Sequence, residues 1–216
     1  AWRLLAPVFP MLFVAGMIEA FVSPHAPLEV RLAAVADVAG AIDPGDAVVA
    51  HVAGSLTLEV LLPHVRVGSI HPLMSLPNAE VGAERLRASC WFALAGGDTV
   101  LGDVVAALGG RSFAVPDEDR AVYHAAACVA SNHLVALMGQ VERLARSISV
   151  PQEAYLDLAR QSLANVEALG AADALTGPAA RGDDETIDRH LAHLPPDERA
   201  SYEAMVEEAR RLAGEG

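Results

Sequence analysis

Five polar side chains interrupt the alanine-rich stretch YHAAACVASN: Tyr123, His124, Cys128, Ser131 and Asn132. Alanine favours the helix. At about 100° per residue, His124 and Ser131 then fall within about 20° of each other, with Cys128 and Asn132 alongside. One helix face thereby gathers an imidazole, a thiol, a hydroxyl and an amide. Such groups either move protons and orient a substrate or, on a buried face, satisfy one another by hydrogen bonding.

Other residues with chemical capacity stand where short apolar runs end. GSIHPLMSLP puts His71 at such an end, and Pro72 holds the chain extended there. Its titration range suits proton transfer as well as simple hydrogen bonding. HVAGSLTLEVL places a turn, Gly54-Ser55, between an apolar run and a helical one. Ser55 is suited to cap that helix, and the same turn can present N–H groups and a hydroxyl to a phosphate or an amide. ALTGPAARGDDET carries Thr176 in a Gly/Pro turn and Arg181 just before a helix that Asp183 or Asp184 can cap. Arg181 either pairs with a nearby carboxylate or clamps an anionic substrate group with its planar fork. His190 and His193 lie three apart among surface-type charges, and no HExxH occurs, so they read as a solvated helix face and no metal centre is expected.

These residues need elements to hold them. From residue 18 to about 115, short apolar runs alternate with helix-like segments, the pattern of βαβ units and a parallel sheet. Strands are expected at 18–22, 47–52, 65–70, 91–95 and 111–115, with helices at about 26–40, 56–62, 78–87 and 99–108. In open parallel sheets ligands sit beyond the carboxyl ends of strands, which singles out Ser23-Pro24-His25, Gly54-Ser55 and His71-Pro72. After Pro116 the period becomes helical. DEDRAVYHAAACVASNHLVALMGQVERLARSI reads as one long helix, followed by helices from Pro151 to Leu169, from near Asp183, and over 197–213. The domains expected are an atypical segment 1–17, an α/β domain 18–116 and an all-α domain 117–213.

Composition narrows the functions. The 216 residues are 53% hydrophobic and only 5% aromatic, so the core must be built from Ala, Val and Leu. A net charge of −13 and a pI near 4.9 argue against nucleic acid or an anionic membrane as partner. All fifteen cations are arginine. Without lysine there is no Schiff base, no pyridoxal-phosphate anchor and no lysine-bearing P-loop. Two cysteines, Cys90 and Cys128, suit neither a disulfide framework nor a cysteine-rich metal site, and a reducing cytoplasm is the expectation. The apolar start, AWRLLAPVFPMLFVAGMIEAFV, is broken by Pro7 and Pro10 and contains Glu19, so neither a signal peptide nor a membrane span is expected.

Three stretches together, HVAGSLTLEVL…VGSIHPLMSLP, DRAVYHAAACVASN and ALTGPAARGD…TIDRHL, resemble Rossmann-like proteins that end in the domain of unknown function 2520. That group is related to ketopantoate reductase, pyrroline-carboxylate reductase and the 6-phosphogluconate dehydrogenase group. The resemblance runs from about residue 18 to the C-terminus. It implies a dinucleotide-binding α/β half, an all-α half, a homodimer formed through the C-terminal helices, and NADP-linked reduction of a small carbonyl or imine compound. Proteins of this kind open with a strand, a GxGxxG turn and a helix. No GxGxxG occurs in this sequence, and IEAFVSPHAP resembles the fourth Rossmann strand with its loop. The resemblance therefore implies a partial, N-terminally truncated Rossmann-like sheet. The alternative it leaves open is a non-catalytic, dimerising remnant that has lost dinucleotide binding.

Carried over residue by residue, Ser23, Pro24 and His25 would flank the nicotinamide, with Gly54 and Ser55 on the next loop. His71, Tyr123, His124, Ser131 and Asn132 would face one interdomain cleft, with Thr176 and Arg181 binding substrate. Where relatives use a lysine as proton donor, His124 would serve, and Asn132 would orient the substrate.

Overall fold

The computed structural model describes residues 11–13, 28–43 and 45–214. Two compact units divide between His133 and Leu134, and each is described by itself. The first holds a five-stranded sheet in the order β1 (Met11–Phe13), β2 (Val48–His51), β3 (Val67–Pro72), β4 (Trp91–Ala95) and β5 (Arg111–Ala114). Helices α1 (Leu28–Gly40), α2 (Ala79–Arg87) and α3 (Val100–Ala107) intervene, and a 3-10 turn spans Leu58–Leu61. The strands and helices of this unit other than β1 fall within a few residues of the expected ones. The expected strand at 18–22, and with it Ser23, Pro24 and His25, lies outside the described residues. β1 instead falls inside the segment 1–17, for which no strand is expected: Met11–Phe13 pairs in parallel with Val48–Ala50.

The architecture is α/β, and one strand departs from the expected parallel sheet. β1, β2 and β3 run parallel, β4 pairs antiparallel with β3, and β5 runs parallel to β4. After β3 the chain passes through α2 and re-enters the sheet at the end it left, with Phe92 opposite Pro72. The carboxyl end of β3 therefore lies beside the amino ends of β4 and β5.

Alternation of side chains splits the sheet into two faces. Val48, Ala50, Ile70 and Phe92 pack with Leu101, Val104 and Val105 of α3. On the other face Val49 packs with Val35 and Ala39 of α1 and with Ala53, Leu56 and Leu61. Beyond β5 a 3-10 turn, Asp117–Asp119, leads into α4 (Arg120–Cys128), a π turn (Val129–His133) and α5 (Leu134–Ser147). The expected long helix is thus continuous but widened in its middle. The composition change at Pro116 and the division between units differ because α4 packs on the sheet: Arg120, its first residue, is 0% exposed within the first unit. By length and composition the run Asp117–Ser147 could cross a membrane, yet both Arg120 and, in the second unit, Gln140 are buried polar residues with hydrogen-bond partners in the protein.

The second unit is all-helical: α5, α6 (Gln152–Leu169), two short turns α7 (Ala171–Ala174) and α8 (Pro178–Arg181), α9 (Asp184–His193) and α10 (Pro196–Ala213). Glu198 near the start of α10 locks it to α5. Its backbone carbonyl accepts from Gln140 Nε2 at 2.9 Å, and its carboxylate takes both Nε and Nη2 of Arg143.

Gly96 closes β4 with φ +103°, and a Cβ there would lie 2.6 Å from the Val67 carbonyl oxygen and 3.0 Å from the Gly68 Cα. Both neighbours are backbone of β3, which cannot yield without disturbing the pairing. Gly96→Ala is therefore expected to destabilise the first unit by roughly 2 kcal/mol or more, read as a lower urea midpoint at unchanged slope. Wild-type stability in this variant would show that the β3–β4 edge tolerates a side chain.

Candidate functional site

Cross-strand register assembles the site. His71 of β3 lies opposite Ala93 of β4, which lies opposite Phe113 of β5, so all three project from one face. Two residues earlier in β3, Ser69 faces the same way and lies opposite His51 of β2. Ala93 is fully buried and small, and it leaves room between the two larger side chains. α4 then crosses this face.

The central contact is a hydrogen bond of 2.6 Å between His71 Nδ1 and the Tyr123 hydroxyl. The rings meet edge-on with centroids 5.6 Å apart, and His124 stands next, 6.3 Å from His71. Phe113 packs edge-on against Tyr123 at 6.0 Å and against Trp91 at 6.0 Å. The Arg111 guanidinium covers the outer face of Trp91 at 4.4 Å. A continuous line of rings thus runs from the edge of the sheet to the histidine pair, fixing Tyr123 from two sides.

Gly54 is part of this arrangement for lack of a side chain. A Cβ there would come 2.7 Å from His124 Cδ2 and 2.8 Å from His71 Cε1 and Nε2. The two rings occupy the space that any other residue would fill. Ser55 beside it does not cap the following turn, contrary to the sequence expectation. The cap residue of Leu58–Leu61 is Thr57, without a side-chain bond, and the Leu58 N–H is taken by both carboxylate oxygens of Asp117 at 3.0 Å. A charged acceptor from a distant turn displaces a neutral hydroxyl nearby, as the stronger bond.

Along the helix, Cys128 Sγ lies 3.8 Å from His124 Nδ1. Ser131 Oγ is 2.8 Å from both the Ala127 carbonyl and Asn132 Oδ1, and its one proton serves one of them at a time. Ser131 and Asn132 sit in the π turn, a widening that recurs at functional sites. A groove of about 580 Å³ is lined by His71, Leu73, Phe113, Tyr123, His124 and Cys128, and by Ser131 and Asn132 at its far end. Of the residues singled out in the sequence, His71, Tyr123, His124, Cys128, Ser131 and Asn132 come together here, with Gly54 behind the rings.

Thr176 and Arg181 belong to the second unit. Both are exposed; Arg181 Nη2 lies 4.0 Å from Asp183, whose side chain caps α9 by accepting from Thr186 N at 3.1 Å. His190, on the same helix, bonds the Tyr202 hydroxyl at 2.6 Å.

Four residues in and around the site are not singled out by the sequence. Phe113 read as an ordinary strand residue, and Asp117 and Arg120 as a charged first helical turn. His51 read as the end of a strand; it is fully buried, and neither ring nitrogen has a hydrogen-bond partner among the described residues. Burial, and then the nearby Arg120 charge, push the His51 pKa down to about 4 against weak opposition from the Thr57 backbone. Burial, His124 and Arg120 push His71 down to about 4 as well, so both rings are neutral at pH 7. Burial raises the Tyr123 pKa, which keeps its hydroxyl protonated.

Residues 91–209 match the model of a domain of unknown function, DUF2520. The chain belongs to the DUF2520 family. The matched region holds Phe113, Tyr123, His124, Ser131 and Asn132, while His71 and Gly54 precede it. Among solved structures, this DUF2520 chain is similar to TM1727 from Thermotoga maritima, at 26% identity and a TM-score of 0.70, covering 88% of this chain and 76% of that one. A Bacteroides fragilis protein assigned provisionally as an NADP oxidoreductase superposes with a TM-score of 0.71 at 20% identity, covering 86% and 73%. Pyrroline carboxylate reductase from Plasmodium falciparum, with NADP bound, superposes with a TM-score of 0.51 at 11% identity, covering 86% and 76%. The last two likenesses are likenesses of fold, here a Rossmann-like one. No curated protein matches the chain.

The neutral histidines make stability depend on acidity in a defined direction. A histidine held near 4 in the fold and near 6.5 when unfolded leaves the unfolded chain binding more protons between those values. The stability is complete above the unfolded value and falls as pH drops from about 6.5 toward 4. For His51 alone the loss between pH 7 and pH 5 is about 2 kcal/mol. His51→Leu, which cannot take up a proton, is expected to remove that share of the decline, measured by urea unfolding at the two pH values. An identical decline in wild type and variant would mean that His51 is not held neutral.

Proposed function

We propose that this DUF2520 chain is an NADP-dependent oxidoreductase that reduces a small carbonyl or imine compound in the groove beside His71. The observation that carries this reading is the 2.6 Å bond between His71 Nδ1 and the Tyr123 hydroxyl at the carboxyl end of β3. A protonated tyrosine joined to a neutral imidazole is a path by which a proton reaches a reacting oxygen or nitrogen. The Rossmann-like fold, which in one similar structure holds NADP, supports the same reading.

Bound dinucleotide would supply the hydride, and the Gly54-Ser55 turn where the chain leaves β2 would help to hold it. The turn suits that role. Gly54 brings backbone directly behind the His71 and His124 rings, and the Ser55 hydroxyl makes no hydrogen bond among the described residues. The remaining work falls to the protein's own groups. Tyr123 gives its proton to the substrate oxygen or nitrogen as hydride arrives at carbon. His71 restores it from Nδ1 while Nε2 takes up another, so the imidazole ends neutral as it began. His124, beside the pair, is the second candidate donor, and Asn132 in the π turn is the amide that orients the substrate. Leu73, Met74, Phe113 and the alanines 126, 127 and 130 line the rest of the groove and exclude water around a small apolar body. We place the protein in the cytoplasm as a homodimer formed through helices of the second unit, where Leu158, Leu163, Val166 and Leu169 of α6 are exposed.

Two measurements test this. Titration of the chain with NADPH, followed by calorimetry, is expected to give saturable binding; its absence favours a dimerising remnant without dinucleotide chemistry, the reading suggested by the lack of a GxGxxG. With a panel of small ketones, aldehydes and cyclic imines, NADPH oxidation is expected to fall about 10²–10⁴-fold in kcat for Tyr123→Phe or His71→Ala. KM and the unfolding midpoint should change little. Equal losses of activity and stability would make the pair a packing feature.

A further inference from the structure

Arg120 is the one fully buried cation among the described residues, and no carboxylate hydrogen-bonds it. Its Nη2 donates to the Ala53 carbonyl at 2.6 Å and to Ser69 Oγ at 2.9 Å. Its Nε and Nη1 have no partner among the described residues. Burying a guanidinium this way opposes its charge, and Asp117 one turn earlier offsets part of that cost. A buried charge retained at such a cost calls for a use.

The connections of Arg120 close a loop around the groove's polar pair. Ala53 directly precedes Gly54, whose backbone backs the His71 and His124 rings. Ser69 lies two residues before His71 on the same face of β3. Tyr123 lies three residues after Arg120, on the same side of α4. Two bonds from one guanidinium nitrogen thus tie the start of α4 to the turn after β2 and to the middle of β3, and the helix returns Tyr123 to His71. Asp117 extends the tie by holding the Leu58 N–H. Resting on the reading above, we infer that Arg120 is a positioning residue: it sets the Tyr123 hydroxyl on His71 Nδ1 and directs a fixed positive charge at the His71 ring.

The charged and titratable groups that act on this ring are His124, Arg120 and His51, with Tyr123 bonded to it, and Asp117 is the carboxylate that acts on the guanidinium. Arg120 therefore acts on His71 in two separable ways, through geometry and through charge.

The test uses the full chain without cofactor. His71 is followed by NMR through its ring carbons and nitrogens in wild type, Arg120→Gln, Arg120→Lys and Ser69→Ala. Arg120→Gln is expected to move the His71 titration upward toward the usual histidine range and to weaken the Tyr123 bond, seen in the Nδ1 shift. Arg120→Lys keeps the charge, so His71 should titrate as in wild type while the Nδ1 shift changes. Ser69→Ala removes one bond and should alter the Nδ1 shift alone. A folded Arg120→Gln with unchanged His71 titration and Nδ1 shift would overturn the inference, as would an Arg120→Lys that titrates like Arg120→Gln. Should Arg120→Gln not fold, Arg120→Lys and Ser69→Ala still decide: an unchanged Nδ1 shift in both overturns it. If the wild type oxidises no NADPH with any compound yet these shifts follow the expectation, the proposed activity fails and the positioning role stands.

Discussion

Pleated strands send directly opposed residues to one face, and the antiparallel pairing of β4 with β3 uses that rule to line up His71, Ala93 and Phe113. A slip of one residue would turn His71 toward α3 and bring Ile70, now in the core, to the groove. The register is held against that slip by the core on the opposite face, where Ile70 and Phe92 are buried against Leu101, Val104 and Val105. Gly96 makes the edge possible by letting β4 end against the β3 backbone. The same hydrophobic packing that stabilises the sheet therefore aims the groove's polar residues.

Charge on this face is arranged unlike the rest of the molecule. The chain carries −13 overall, yet the described surroundings of His71 and His51 contain a buried guanidinium and a third imidazole, with Asp117 the one nearby carboxylate. Desolvation and positive neighbours act in the same direction on a histidine, disfavouring the imidazolium. The result is a pair of neutral imidazoles in a protein whose surface is acidic. Neutral His71 can accept from Tyr123 or donate to it, whereas a charged ring could only donate.

Apolar period and turn residues were enough to read most elements from the sequence, and the helical phase of YHAAACVASN picked out the groove's far wall. His124, Ser131 and Asn132 were found because an amphipathic helix shows its face in its spacing. Strand direction was not legible: WFALA reads the same whether it runs with or against its neighbour, so β4 was expected to be parallel. The burial of Arg120 was hidden for a related reason. In DEDR an arginine follows three acids and looks like a solvated turn, whereas its actual partners, Ala53 and Ser69, come from strands far back in the chain. Ser55 shows the opposite failure, a locally plausible cap displaced by Asp117, a competitor that only the tertiary fold brings near.

The π turn explains why an alanine-rich helix can both pack and present polar groups. From Arg120 to Cys128 the helix is held by Arg120 and Tyr123, and its half-buried His124 leans on Gly54. An unbroken α-helix would carry that same phase onward. Over Val129–His133 the helix widens into a π turn, and Ser131 and Asn132, which line the groove, lie within it. The alanines between them, 126, 127 and 130, add little bulk on the groove side. Small residues favour the helix and leave open the space beside His71, so the composition that makes this stretch look like plain core is what keeps the groove from being filled by its own wall.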